Sequence, residues 1–173
     1  GRLFDARNEW IRDLDLDDME LPDTVRVVLE RRIKRVSSAT LNILSAAALL
    51  GHHFEPDLLE EVAEVDSERL TAALHEAEGA RILTGPSGRR DITWRFAQQL
   101  TCQMLTAAIP QQHRQRLHLR VADAMTRRDH ESRLQVAGIA HHLYWAGRLA
   151  DPSRTGRALI AAGDAAHAMY ASE

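Results

Sequence analysis

Cysteine is nearly missing from this sequence. Cys102 stands alone among 173 residues, so no disulfide can form within the chain and a disulfide-framed secreted domain is excluded. Lysine is as scarce, with Lys34 the single one. A phosphate-cradling loop ends in Gly-Lys-Ser or Gly-Lys-Thr, and no lysine here sits by a glycine turn, so the chain by itself is not a P-loop nucleotidase. A Gly-x-Ser-x-Gly nucleophile turn is absent as well. No apolar run is long enough to span a bilayer, and no stretch has the pattern of a secretion leader. The net charge of −3 supplies no basic field to gather nucleic acid. A reducing, cytoplasmic setting without membrane contact is the expectation.

What is present favours helix. Alanine is frequent, and apolar residues make up 45% of the chain, enough for a folded core. The organising stretch is 37–96. Ser37-Ser38-Ala39 opens a helix running to Leu50, with Leu41, Leu44, Ala48 and Leu49 on one stripe and Gly51 as its stop. Residues 56–63 form a second helix with Leu58, Leu59 and Val62 inward. Ser67 caps a third, with Leu70, Ala73, Leu74 and Ala77 facing the core. Residues 81–84 and 92–96 read as strands around the turn Gly85-Pro86-Ser87-Gly88. Three helices and a hairpin predict a mostly α fold, a winged helix-turn-helix with a two-stranded wing.

A DNA-reading helix-turn-helix puts its third helix in the major groove. Here residues 55–78 carry Glu55, Asp57, Glu60, Glu61, Glu64, Asp66, Glu68, Glu76 and Glu78 against Arg69 alone. Phosphate contacts supply most DNA affinity, and this surface repels phosphate. The wing arginines Arg89 and Arg90 do not offset it, so specific DNA binding is not expected.

On the N-terminal side, Leu3-Phe4 and Trp10-Ile11 have hairpin spacing around Asn8. Asp13, Asp15, Asp17 and Asp18 invite a calcium reading, but the central Gly and closing Glu of an EF-hand are missing, which favours a solvated linker. Pro22 and Asp23 then start a helix with Val25, Val28, Leu29, Ile33 and Val36 at helical spacing. Its basic run, Arg31, Arg32, Lys34 and Arg35, suits a helix C-terminus.

Beyond Phe96 a helix reaches Ala108 with Leu100, Met104, Leu105 and Ala108 inward, and Pro110 breaks it. Residues 111–128 form a longer helix with Leu117, Val121, Ala124 and Met125 on its stripe. The short break predicts that these two helices pack antiparallel. Arg114, Arg116, Arg120, Arg127 and Arg128 line the other sides of the longer one, and with Arg89 and Arg90 they make up the candidate interaction surface. Two readings of the helix arginines stand side by side: contact with an anionic partner, or pairing with the acidic second and third helices. Residues 135–147 form a helix carrying Ile139, Ala140, Leu143 and Trp145, ended by Gly147. Residues 151–162 form the next helix, Gly163-Asp164 a boundary, and 165–170 a third helix. Short Ala-rich helices with Gly-containing turns resemble a helical-repeat array.

Cys102 falls on an apolar helical stretch and reads as a core thiol. His52-His53 and His141-His142 are adjacent pairs, and neighbours on a helix point apart, so neither chelates in the His-Glu-x-x-His manner. His118 lies on the inward edge of its helix, packed and hydrogen-bonded. The expectation is no catalytic residue, no metal ligand and no cofactor.

Three stretches carry a family likeness: Leu21-Pro22-Asp23-Thr24-Val25-Arg26 with Glu30-Arg31-Arg32-Ile33; Ala46-Ala47-Ala48-Leu49-Leu50-Gly51-His52-His53-Phe54; and Trp94-Arg95-Phe96-Ala97-Gln98-Gln99-Leu100 with Ile109-Pro110 and Arg114-Gln115-Arg116-Leu117-His118. Together they resemble the region after the nucleotide-binding core of large bacterial STAND-type signalling ATPases, such as the maltose-regulon activator and the AAA-linked adenylate or guanylate cyclases. The family order is ATPase core, lid, winged helix, tetratricopeptide-like repeats. The resemblance implies the end of an ATPase lid at 1–20, a winged helix at 21–100, a bridging helical pair at 101–130 and the start of a repeat at 131–173. It implies a non-catalytic regulatory module whose partners are the ATPase core before it and the repeats after it. The alternative is the DNA-binding winged helix of a transcriptional regulator. Gln98 departs from the family's usual histidine at that position.

Overall fold

The computed structural model describes residues 23–88, 92–128 and 133–170. The hairpin and aspartate run expected in residues 1–20, and the wing arginines Arg89 and Arg90, lie outside the described residues. The fold is mostly α-helical with one small antiparallel sheet. The elements, in order, are α1 Asp23–Ile33, α2 Ser38–Leu50, β1 His53–Phe54, α3 Pro56–Ala63, α4 Ser67–Gly79, β2 Leu83–Thr84 and β3 Trp94–Phe96. They are followed by α5 Gln99–Ala108, α6 Gln111–Arg127, α7 Arg133–Ala146, a 3-10 turn at Gly147–Leu149, and α8 Pro152–Tyr170.

Local chemistry sets the helix ends. Ser37 caps α2, its side chain accepting from the Thr40 N–H, and Gly51 ends α2 at φ 119°, a conformation that favours glycine. The cap of α4 is Asp66 rather than the expected Ser67: its carboxylate accepts from the Arg69 N–H at 2.8 Å. Glu76, near the end of α4, reaches the start of α2. It accepts from the Ser37 N–H at 2.7 Å, from the Ser37 hydroxyl at 2.9 Å, and from the Thr40 hydroxyl. Thr40's bond, then Ser37's backbone bond, hold the Glu76 carboxyl below the usual carboxylate range. One carboxylate at the tail of α4 thus ties down the cap of α2.

The sheet has three strands, not the two expected, in the order β1-β3-β2. Phe54 pairs with Trp94, and Leu83 with Phe96, both antiparallel. The added strand, β1, is two residues long, too short for an alternating pattern to mark it. Phe54, Leu83, Trp94 and Phe96 are all buried and close one side of the main core.

That core joins α2, α3, α4, the sheet, α5 and one face of α6. Among the described side chains of α1 only Leu29 is fully buried, and Val28, one of the apolar residues at helical spacing, is 48% exposed. Helices α5 and α6 do not pair as expected. Ile109 leaves α5 in an extended conformation, and the two helices settle separately, α5 on α2 and α6 on α3 and α2. The Cys102 thiol donates to the Ala48 carbonyl at 3.4 Å, and the Thr106 hydroxyl donates to the Cys102 carbonyl at 2.9 Å, with the Ala48 carbonyl 3.4 Å away. Ala108 is exposed, against the expected inward stripe.

Helix α6 has two faces. Leu117, Val121 and Ala124, spaced i, i+4, i+7, belong to the main core. Ala122 and Leu119 turn to a second cluster with Ile139, Leu143, Ala146, Ala150 and Ala158. Contacts between α6 and α7 run antiparallel: Met125 meets Gln135 and Gly138, His118 meets His142, and Gln115 meets Gly147. A Cβ built on Gly138 would lie 2.7 Å from the Met125 methyl, so this glycine marks a close approach.

The helix boundary expected at Gly163 does not exist, because α8 runs unbroken through it. Alanines on both sides favour helix, and a lone glycine lowers helix stability without ending it. A Cβ at Gly163 meets nothing within 4 Å. Gly163→Ala is therefore expected to raise stability by about 0.5–1 kcal/mol in urea unfolding; a lower midpoint would count against this placement.

Candidate functional site

The first thing α7 brings to α6 is histidine. His118 and His142 are 6% and 7% exposed, and their Nδ1 atoms are 2.8 Å apart, a hydrogen bond in which one ring donates and the other accepts. His141 follows its helix round to solvent, with its ring centroid 6.0 Å from His118 and 5.2 Å from His142. One ligand nitrogen from each of the three lies within 4.8 Å of the other two.

This overturns the expectation that the chain offers no metal or cofactor site. Neighbours on one helix do point apart, and the two rings are perpendicular, at 90°. That argument covers chelation by one helix alone. Here the third imidazole comes from the facing helix and meets both. The signal in the sequence is the inward position of His118, which by itself implies only a packed, hydrogen-bonded ring. The packing was correctly expected, but its partner was not.

Trp145 is 50% exposed. It lies one turn beyond His141, its ring near-parallel to that of His118 with centroids 6.3 Å apart and an interplanar angle of 23°. Burial pushes His118 down to about 4, helped by the His141 ring and the Arg114 guanidinium. Burial pushes His142 to about 3, helped by His118 and His141. At neutral pH the buried pair is therefore uncharged, which leaves lone pairs available for a hydrogen bond or a cation.

The other histidine pair differs. His52 and His53 hold their Nδ1 atoms 3.2 Å apart at the exposed edge of β1, with no third ligand in that group among the described residues. Cys102 is buried, as expected, and burial raises its thiol to about 11, so it stays protonated.

Among the candidate arginines, three on α6 reach α3. Arg120 pairs with Glu64 at 2.8 Å, Arg127 with Glu61 at 2.5 Å, and Arg128 with Glu61 and Glu55 at 3.6 Å each. Of the two readings left open, pairing within the chain is the one these residues adopt. Arg114 instead faces His118, and Arg116 is exposed on the same helix. A groove of about 620 Å³ between α2, α4 and α6 is lined by residues that include Ile43, Asn42, Ala73, Glu76, His113, Leu117 and Arg120; two of its charged groups are already paired, Glu76 with Ser37 and Thr40 and Arg120 with Glu64.

No helix among the described residues is long and apolar enough to cross a membrane. No family model matches the sequence, and no curated protein and no solved structure matches the chain.

Proposed function

We propose that this chain is a non-catalytic regulatory and interaction module of a larger signal-transduction ATPase, relaying between a nucleotide-binding core and a repeat sensor. In this reading α2, α3, α4 and the three strands form a winged helix, and α6, α7 and α8 begin a tetratricopeptide-like array. The observation that carries it is the double membership of α6. One stripe belongs to the winged half, another to the helical hairpin, and three arginines tie the same helix to α3. A rigid shared element is what a displacement at one end needs to be felt at the other. The outer face of α4, with Glu68 and Glu78 exposed, favours relay over the alternative of a DNA-binding winged helix.

The test uses two native reporters. Trp94 sits in the winged half and Trp145 in the hairpin. With Trp10→Phe and one of the two also replaced by Phe, each remaining tryptophan reports its own half. In each variant the fluorescence transition should coincide with loss of helical circular dichroism, as one cooperative unit requires. A hairpin that melts separately from the winged half would remove the relay.

A further inference from the structure

We propose that His118, His141 and His142 bind one zinc ion that clips α6 to α7. The donor set selects the metal. Three imidazoles, with neither thiolate nor carboxylate in the group, suit zinc, copper or nickel and not calcium or magnesium. Zinc commonly takes three protein ligands and keeps a fourth position for water, and here exposed His141 leaves one side open.

The geometry is close to what the ion requires. Tetrahedral bonds of about 2.0–2.1 Å put ligand nitrogens roughly 3.3 Å apart. The Nδ1 atoms of His118 and His142 are at 2.8 Å, so the rings need to part by about half an ångström, a small step for that metal geometry. The His141 nitrogen, within 4.8 Å, closes in by turning an exposed side chain. The ring that donates its Nδ1 proton in the free protein carries that proton on Nε2 once Nδ1 ligates, so each imidazole stays neutral. The Arg114 guanidinium is the opposing charge, and the proposal places the ion on the His141 side of His118. This inference does not rest on the relay reading, since it concerns the hairpin alone.

The experiment is calorimetric titration of the whole chain, stripped with a chelator, with zinc chloride near neutral pH. One ion per chain is expected, with Kd below roughly 10 μM. His141→Ala removes an exposed ligand without opening the core and is expected to weaken binding at least roughly tenfold. The paired control, His52→Ala with His53→Ala, is expected to leave binding unchanged. Substituting cobalt should give the intense visible bands of a tetrahedral site, absent in His141→Ala. Three results would overturn the proposal: no binding tighter than roughly 100 μM, full binding by His141→Ala, or loss of binding in the His52/His53 control.

Discussion

Leu117→Ala is expected to lower the unfolding free energy by about 2–5 kcal/mol, and Arg127→Ala by under about 1 kcal/mol. Leu117 is 3% exposed and sits where α6 meets the main core, beside Ile43 and Ala46 of α2. Truncation removes apolar burial and leaves a void that α6 cannot collapse, because its other face is held by α7. Arg127 pairs with Glu61 at 2.5 Å, but the arginine is 63% exposed, so water screens the pair. Urea unfolding of both variants beside the parent is the measurement. Equal midpoints for Leu117→Ala and the parent would mean that this stripe of α6 is not docked.

The second large effect is on pH. His118 and His142 fall from an ordinary 6.5 to about 4 and about 3 in the folded chain. Between those values the unfolded chain binds more protons, so stability rises with pH. The neutral pair contributes fully above about pH 6.5 and loses its contribution as pH falls towards the folded values. The two rings are coupled through one hydrogen bond, so their effects do not add. A fall from about pH 7.5 to about pH 4.5 should cost on the order of 2 kcal/mol from this pair in chelator-treated protein. Carboxylates titrate in the same range, so the informative comparison is with His118→Asn/His142→Asn, which should show a flatter dependence. Equal slopes for parent and variant would contradict a neutral buried pair.

The helices were open to sequence reasoning wherever one face was apolar and the end was chemically marked. Pro56 placed the start of α3, Gly51 the end of α2, and the Leu70, Ala73, Leu74, Ala77 stripe the inner side of α4. What escaped depends on partners distant in the chain. The pairing of β1 with β3 joins His53 to Arg95, and no local pattern in two residues records that. The separate docking of α5 on α2 and of α6 on α3 and α2 rests on contacts distant in the chain, which the length of the break at Pro110 does not record. Gly163 looked like a boundary because glycine often is one; its alanine surroundings carry the helix through. The metal-competent cluster is the same lesson in chemistry. His118 and the pair His141-His142 are each ordinary alone, and only the antiparallel register of α6 and α7 makes them neighbours.

That register has a soft point built into it. Gly138 lies one helical turn before His142, and Met125 lies two turns after His118, so the two contacts stack along one seam. At the glycine the end of the Met125 side chain fills the place a Cβ would take, its methyl 2.7 Å and its sulfur 3.6 Å from that point. A methionine tip is flexible, so a carbon added at 138 first displaces Met125 from the seam. The absent side chain at 138 thus makes room for a thioether beside the imidazoles, a soft filler where a rigid one would have to be matched.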